Sequence, residues 1–427
     1  MTSKDTSVRV LLVLPMYGGS LPVGRYCARA LTRLGHVVET FEAPEFHQSF
    51  EALRRMRVSR ERLQYLENSF LNVISQAIMA KVEAFCPDLV LCLAQAPMSI
   101  QTLKRLRRDG VATAMWFVED YRLFTYWMAF APHYDFFAII QEDPFFDELE
   151  AVGQSNALYL PLAADPEFHC PMDLSSVDRR MWGSDLSFMG AGYPNRRVAF
   201  RRLVNRDFKI WGTEWDGDPA LEALVQMNGR RLSSEECVKI FNATRINLNL
   251  HSSVDSTSLV SNGDFVNPRT FELAACGAFQ LVDERALMAD LFWSDELATF
   301  RSIPEMEEMI DHFLAHPEER EEYARRGRER VLADHTYDRR MQTLLDFVAA
   351  RREGWPARRG GEEFFAEYPP ELRDKVLALL DRLGLPAQTS FDDLVWTLRQ
   401  QQGTLSDVET AILFLDEWRK QYGGKRA

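Results

Sequence analysis

The sequence of 427 residues lacks the marks of several protein classes. No stretch approaches the ~20 consecutive apolar residues that a membrane-spanning helix needs, and the apolar run Val8–Leu14 is much shorter than that. The N-terminus also lacks the basic, apolar and cleavage regions of a secretory signal. We therefore expect a cytoplasmic protein without a transmembrane segment.

Cysteine and histidine are scarce and lack the spacing of common metal sites. The six cysteines include no Cys-x-x-Cys pair, and the eight histidines include no His-Glu-x-x-His arrangement. Since several cysteines fall in apolar strand or helix patterns, we interpret them as reduced core residues, not as disulfide partners. The sequence accordingly predicts no protein-bound metal.

An excess of basic residues is also missing. The chain holds 50 Lys and Arg against 63 Asp and Glu, which gives a net charge of −13 at pH 7. Because nucleic-acid-binding proteins usually present a basic surface, we expect no nucleic-acid partner.

What the sequence does contain is an alternation of apolar strand runs and helical patterns, which is typical of parallel sheets with crossover helices. Helices are predicted at Val23–Leu34 and, as one long helix, over Phe50–Phe85. Six runs rich in Val, Leu, Ile and Phe predict strands that are covered on both faces. These runs are Val8–Leu14, Val37–Phe41, Leu89–Leu93, Ala112–Phe117, Phe136–Ile140 and Leu158–Leu160.

A polar stretch with several prolines follows, and then the alternation begins again. Four further strands are predicted at Leu186–Met189, Phe208–Trp211, Ile246–Leu250 and Phe279–Val282. Three helices then precede a linker rich in Arg, Gly and Pro, and three short helices are predicted over Pro369–Tyr422. We predict an α/β protein with Rossmann-like domains over residues 1–165 and 166–350 and a small helical appendage over residues 362–427.

Open parallel sheets bind ligands at the carboxyl ends of their strands, so the loops that follow strands are candidate sites. After the first strand, Gly18, Gly19 and Ser20 form a loop that allows close backbone approach, or a simple turn. After the fourth strand, Glu119 could contact an acceptor, and Asp120 could act as a general base or cap the following helix.

The corresponding loop of the second half contains Gly190, Gly192, Asn195 and Arg196. Two glycines and a cation next to a helix start predict a pocket for a diphosphate. The alternative is a glycine turn followed by a solvated arginine.

The strongest candidate is the segment Gly263–Gly277. Asn267 is the predicted N-cap of a short helix. The positive charge of Arg269 in the first turn is unfavourable next to the positive end of the helix dipole, unless an anion such as a diphosphate binds there. Burying the Glu272 carboxylate on an apolar helix would cost folding free energy unless it accepts hydrogen bonds, for example from ribose or sugar hydroxyls. The alternative is an ion pair between Glu272 and Arg269 in a capped core helix.

This segment and the preceding Ile246–His251 resemble the CgeB-like branch of the GT-B glycosyltransferases. The resemblance extends over about residues 8–350 and leaves the C-terminal helices outside. It implies two facing Rossmann-like domains of the GT-B type, with the acceptor bound by the first and the nucleotide sugar by the second. The further matching segments are Asp88–Asp120, Tyr159–Asp165, Asp185–Asn195, Ile210–Trp215 and His335–Tyr337.

The resemblance also implies residue roles. Many retaining GT-B enzymes carry two glutamates separated by seven residues, and the matching positions here are Asp264 and Glu272, with Asp in the first place. Glu272 corresponds to the ribose contact.

Together these observations predict a metal-independent glycosyltransferase without a cofactor. It would move a sugar from a nucleotide-diphosphate donor, a co-substrate, to a hydroxyl of a glycan, lipid-linked or protein acceptor. Asp120 and Glu272 are the candidate catalytic residues, and Gly18, Gly19, Ser20 and Glu119 are the candidate acceptor contacts. The predicted donor contacts are Gly190, Gly192, Asn195, Arg196, Asp264, Asn267, Arg269 and Glu272.

Two other functions fit the same pattern. A nucleotide-sugar epimerase can share the two-domain layout, and a catalytically silent binding module could use the C-terminal helices as a docking arm. Those helices could also mediate homo-oligomerisation or simply pack on their own chain.

Two basic clusters bear on the acceptor. Arg54–Arg62 contains five arginines, and Lys104–Arg108 contains four basic residues. They could steer anionic lipid-linked or polymeric acceptors towards the first domain, or they could be solvated helix faces.

Overall fold

The computed structural model describes residues 7–253, 264–356, 369–385 and 389–422. Gly263, one end of the strongest candidate segment, and residues 357–361 of the predicted linker lie outside the described residues.

The described residues form two parallel sheets. The first sheet has the order β2-β1-β3-β4-β5-β6, and the second has the order β11-β10-β9-β7-β8. The strands are β1 Arg9–Val13, β2 Val37–Phe41, β3 Leu89–Leu93, β4 Ala112–Phe117, β5 Phe136–Ile139, β6 Ala157–Tyr159, β7 Leu186–Met189, β8 Phe208–Trp211, β9 Ile246–Asn249, β10 Gln280–Asp283 and β11 Ala298–Phe300.

Helices connect the strands and cover both faces of the sheets. Every residue of β1, β3, β4 and β5 is buried, which explains their nearly unbroken apolar sequences. The helices that precede the second sheet are α1 Ser20–Arg33, α2 His47–Arg54, α3 Arg60–Phe85, α4 Ile100–Arg108, α5 Trp127–Phe130, α6 Phe145–Ala151 and α7 Ser176–Trp182. Those that follow are α8 Pro194–Phe200, α9 Pro219–Glu222, α10 Ser234–Ala243, α11 Pro268–Ala275, α12 Ile303–Ala315, α13 Pro317–Asp334, α14 Tyr337–Arg351, α15 Pro370–Arg382, α16 Phe391–Gln400 and α17 Asp407–Tyr422.

Two sequence predictions about the fold were wrong. The single helix expected over Phe50–Phe85 is two helices, because Ser59 is extended and its hydroxyl accepts a hydrogen bond from the Arg62 amide, which starts α3. The strand β11 was not predicted, since its three residues carry too short an apolar pattern.

The last helix of the second half returns to the first sheet. Tyr337 of α14 packs edge-on against Trp116 with ring centroids 6.0 Å apart, and Phe347 packs against Phe136 at the same separation. One buried core therefore continues from β1 through α11 to α14.

The C-terminal helices α15–α17 have a small core of their own and dock on the first sheet. Asp393 of α16 forms an ion pair with the buried Arg9 of β1, and Trp396 packs edge-on against Phe85 at 4.8 Å. Within the described residues, no helix is both long and apolar enough to cross a bilayer.

Candidate functional site between the two sheets

Each sheet has one point at which the strand order reverses. The reversal falls between β1 and β3 in the first sheet and between β7 and β9 in the second. Ligands of open α/β sheets bind in the crevice at the carboxyl ends of the strands at such a point. The loops predicted from sequence, Gly18–Ser20 and Gly190–Arg196, follow β1 and β7 and therefore lie at both crevices.

The Gly18–Ser20 loop is tied to the neighbouring strand. Ser20 is buried, and its hydroxyl donates to the carbonyl of Ala94 at 3.1 Å, so it holds the loop after β3 in place. Gly18 has a φ of +106°, whereas the Cβ position at Gly19 is open space. Gly19 is thus the part of this loop with free room beside it.

Glu119 and Gln95 meet beside that loop. The Gln95 amide Nε2 lies 3.3 Å from Glu119 Oε1, and Gln95 Oε1 is 3.3 Å from the Cβ position of Gly18. Gln95 has a φ of 66°, an uncommon backbone conformation that concentrates at functional sites in non-glycine residues. Burial, and then the neighbouring charge of Asp120, raise the pKa of Glu119 to about 7. Its carboxyl group can therefore take up or release a proton near neutral pH.

Asp120 is engaged with its surroundings. Its Oδ1 accepts hydrogen bonds from the Arg122 amide at 3.0 Å and from the Gln141 amide group at 3.4 Å. The suggested role as a helix cap is wrong, because a turn follows Asp120 and the next helix begins only at Trp127.

In the second crevice, Gly192 and Asn195 make close contacts with the backbone of neighbouring loops. A Cβ on Gly192 would lie 2.1 Å from the carbonyl oxygen of Glu214, so only glycine fits. The Asn195 side chain donates to the carbonyl of His251 at 2.8 Å and accepts from the Ser253 amide at 3.0 Å. These contacts join the loops after β7, β8 and β9.

Arg196 is a half-buried cation held by carbonyl groups. Its Nε donates to Leu250 O at 2.9 Å and its Nη1 donates to Ala191 O at 3.0 Å. Within the described part of the chain, no carboxylate lies within ion-pair distance of Arg196, and burial lowers its pKa to about 10. An anion in the crevice, such as a diphosphate, would stabilise a half-buried cation of this kind.

The helix α11 begins and ends as predicted. The Asn267 side chain caps it by accepting from the Thr270 amide at 3.1 Å, and Gly277 follows its C-terminus with a φ of +63°. Arg269 and Glu272 form an ion pair at 2.7 Å, so the structural alternative considered for this helix is present. The pair occupies Glu272 Oε2, and Oε1 lies 3.9 Å from His169 Nε2.

The two sets of loops touch across the cleft. Gln141, after β5, donates to Asp264 Oδ1 at 2.9 Å, and Arg122 lies 3.9 Å from the same oxygen. Arg231 donates to the carbonyl of Gly18 at 2.8 Å. Asp264, predicted as a donor contact, is therefore held by side chains of the first sheet.

Sequence reasoning missed a buried charged cluster at the end of β10. His251 Nδ1 bonds Asp283 Oδ1 at 2.7 Å, and the Asn267 amide donates to His251 Nε2 at 2.9 Å. Burial lowers the pKa of His251 to about 4, so the ring is neutral and positions α11. Arg285 is also buried, 3.5 Å from Asp283. Charged residues directly after an apolar strand were the available signal for this cluster.

Two further residues near Glu272 were missed, Tyr26 of α1 and His169 of the connector. Their rings pack edge-on at 4.8 Å. Burial and then the Glu272 charge raise the pKa of Tyr26, whereas burial lowers that of His169. Neither residue stood in a recognisable motif.

Possible metal ligands lie elsewhere. The described residues contain one group of three with converging ligand atoms, His312, His316 and Glu319, and it lies exposed where α12 meets α13. All six cysteines are free thiols, and Cys27, Cys92 and Cys276 are buried.

Known proteins resemble the chain in sequence and in fold. Residues 196–346, which include Arg196 and α11, match the family model described as glycosyl transferase-like. The spore protein CgeB of Bacillus subtilis (strain 168) is 26% identical over 273 residues, covering 61% of this chain and 82% of that protein. The chain is a glycosyltransferase that is similar to CgeB.

Solved structures show that this glycosyltransferase has the GT-B fold. Sucrose-phosphate synthase of Thermosynechococcus elongatus superposes with a TM-score of 0.53 at 13% identity, covering 81% of this chain and 99% of its own. HepE of Anabaena, solved in complex with UDP-glucose, also gives a TM-score of 0.53, at 10% identity, covering 80% of this chain and 100% of its own.

Proposed function

We propose that the chain transfers a sugar from a nucleotide-diphosphate donor to an acceptor hydroxyl in the cleft between the carboxyl ends of the two sheets. The observation that carries this proposal is Arg196, a half-buried cation at the second crevice without a carboxylate partner in the described residues. Glycosyl transfer leaves negative charge on the departing diphosphate, and a preorganised cation stabilises that charge. The UDP-glucose complex of HepE, which shares the fold, supports the same donor class.

Glu272 contributes to the donor side in this proposal. Arg269 occupies one carboxylate oxygen, and Oε1 has no hydrogen-bond donor within 3.5 Å among the described residues. Glu272 Oε1 is therefore suited to accept a hydrogen bond from a ribose hydroxyl. The guanidinium groups of Arg269 and Arg196 lie on the donor side, and in this proposal they take the place of a metal ion next to the diphosphate.

The acceptor hydroxyl binds beside Gly19, next to the Gln95–Glu119 pair. Of the two adjacent carboxyl groups, Glu119 is the better general base, because its raised pKa makes it a stronger proton acceptor. Asp120 accepts a hydrogen bond from Gln141 and so helps to position the Gln141 amide group, which contacts Asp264 across the cleft. Closure excludes water and so limits hydrolysis of the donor.

Thermal unfolding with UDP-, GDP-, dTDP- and CMP-linked sugars tests the donor site, because a ligand that binds only the folded state raises its stability. We expect one of the diphosphate-linked sugars to raise the melting temperature and CMP-linked sugars, with a single phosphate, to have no effect. Arg196→Met should abolish the shift. Arg202→Met is the matched control, since Arg202 is exposed and pairs with Glu307 on the outer surface. If the ligand raised the melting temperature of Arg196→Met as much as that of the wild type, the donor would not bind at Arg196.

A further inference from the structure

The turn between α2 and α3 and the first turns of α3 form an exposed tip, residues 54–65, that the proposed reaction does not use. Between Arg54 and Arg62 it carries five arginines and one glutamate, a net charge of +4 on a chain whose total is −13. Apolar side chains alternate with the arginines. Met56, Val58 and Tyr65 are 47%, 43% and 65% exposed.

The arginines of this tip are largely without counter-charges. Arg54 pairs with Glu51 and Glu67. Within the described residues, the other four arginines form no ion pair. These are Arg55, Arg57, Arg60 and Arg62. The tip therefore presents positive charge to solvent.

The second basic cluster of the sequence differs in this respect. Arg105 pairs with Glu83, Arg107 with Asp135, and Arg108 with Asp109. Its charge is thus largely neutralised within the protein, although the two clusters look alike in sequence.

The tip also lies on the side of the cleft. The helix α3 leads into the amino end of β3, so its start at Arg60 points towards the carboxyl ends of the first sheet. Its fully buried residues begin at Ile74, and the fourteen residues before that span about 20 Å. At the start of α2, the His47 ring packs at a tilt against Tyr17 of the loop after β1, with centroids 4.9 Å apart. The tip therefore stands over the loop at which we place the acceptor.

We propose that this tip docks the protein on an anionic lipid bilayer. Guanidinium groups bind lipid phosphates, while Met56 and Val58 enter the boundary between headgroups and acyl chains. A purely soluble polyanion would satisfy the arginines but not the exposed apolar side chains between them. Because the rest of the chain is acidic, an anionic surface repels it, and the tip is the part that approaches. If the proposed function holds, the acceptor is presented at that surface.

Vesicle co-sedimentation of the full chain tests the proposal. Vesicles of phosphatidylcholine with 30% phosphatidylglycerol are compared with pure phosphatidylcholine vesicles at low and physiological salt. We expect binding only to the anionic vesicles, falling as salt rises. Arg55→Glu with Arg57→Glu should weaken it about tenfold or more. Lys104→Glu with Arg108→Glu, with the same change of net charge in the second cluster, should leave it intact.

A second pair of measurements separates lipid from soluble polyanion. Met56→Ser with Val58→Ser keeps every charge and should still weaken vesicle binding severalfold, most clearly at physiological salt. Inorganic polyphosphate should bind the wild type more weakly than the vesicles do. No vesicle binding, equal losses in both double charge reversals, or an unaffected Met56 and Val58 variant would each overturn the proposal. Thermal shifts with donor sugars on the same variants report the donor site separately.

Discussion

Gln141 donates a hydrogen bond to Asp264 across the cleft, from the end of β5 to the segment before α11, over 2.9 Å. Gln141 is fully buried, and its own oxygen accepts from the Tyr121 amide at 3.0 Å. Asp264 is thus joined to the first sheet. This contact joins the two sides of the cleft.

A double-mutant cycle tests that contact. Gln141→Leu and Asp264→Ala should each lower the transfer rate about tenfold, because a hydrogen bond to a charged group contributes about 1.5–3 kcal/mol. The double variant should be no slower than the slower single variant, since both remove the same interaction. Strictly additive losses in steady-state assays would show that the two residues act independently.

Glu119→Gln should change the pH dependence of stability. The pKa of Glu119 is about 7 in the fold and near 4.5 in the unfolded chain. The stability that the protonated group contributes is therefore present below about pH 4.5 and lost as the pH rises through 7. In urea unfolding, the free energy of unfolding of the variant relative to that of the wild type should rise between pH 4.5 and 8, by at most about 3 kcal/mol.

The same variant tests the assignment of the base. Wild-type transfer should fall as the pH drops below about 7, and Glu119→Gln should lose most activity at every pH. Glu61→Gln, at an exposed position of α3, is the control. If the Glu119→Gln enzyme kept full turnover and the wild-type pH profile, Glu119 would not be the general base and Asp120 would remain the candidate.

Two glycines that resemble each other in sequence should respond differently to alanine. Gly192→Ala places a Cβ 2.1 Å from a backbone oxygen, so we expect a loss of about 2 kcal/mol or more in unfolding free energy. Gly19→Ala meets no atom within 4 Å and should fold normally. If acceptors bind beside Gly19, its alanine variant should raise the KM for acceptor and leave donor binding unchanged. Equal stability of the two variants would contradict the loop geometry.

The docking of α16 on the first sheet offers a matched pair of carboxylates. Asp393→Ala removes the ion pair with the buried Arg9 and should cost about 3 kcal/mol in unfolding free energy. Asp392→Ala removes a surface pair with Arg419 and should cost at most about 1 kcal/mol. Chemical denaturation followed by circular dichroism measures both. Similar, small losses would mean that the C-terminal helices fold apart from the sheet.

Apolar runs sufficed to place most strands, because strands covered on both faces have continuous apolar sequences. The predicted Val37–Phe41, Ala112–Phe117 and Phe208–Trp211 agree with β2, β4 and β8 to the residue. The break at Ser59 was harder to see, since the apolar pattern continues through both helices and only the cap separates them.

The loops of the site could be located from sequence, but not the partners of their side chains. Asn267 as a cap followed from local spacing. The contacts of Gln141 with Asp264 and of His251 with Asp283 join residues 123 and 32 positions apart, and no local pattern encodes such pairs. Whether a carboxylate lies within ion-pair distance of Arg196 likewise depends on which residues the fold brings near it.

Release of nucleoside diphosphate from the donor, measured with and without acceptor and with a chelator, tests the central claim most directly. The account predicts release that depends on a hydroxyl-bearing acceptor, persists in the chelator and is lost in Arg196→Met. Conversion of the donor sugar to its epimer without acceptor, or release that Arg196→Met does not change, would contradict it.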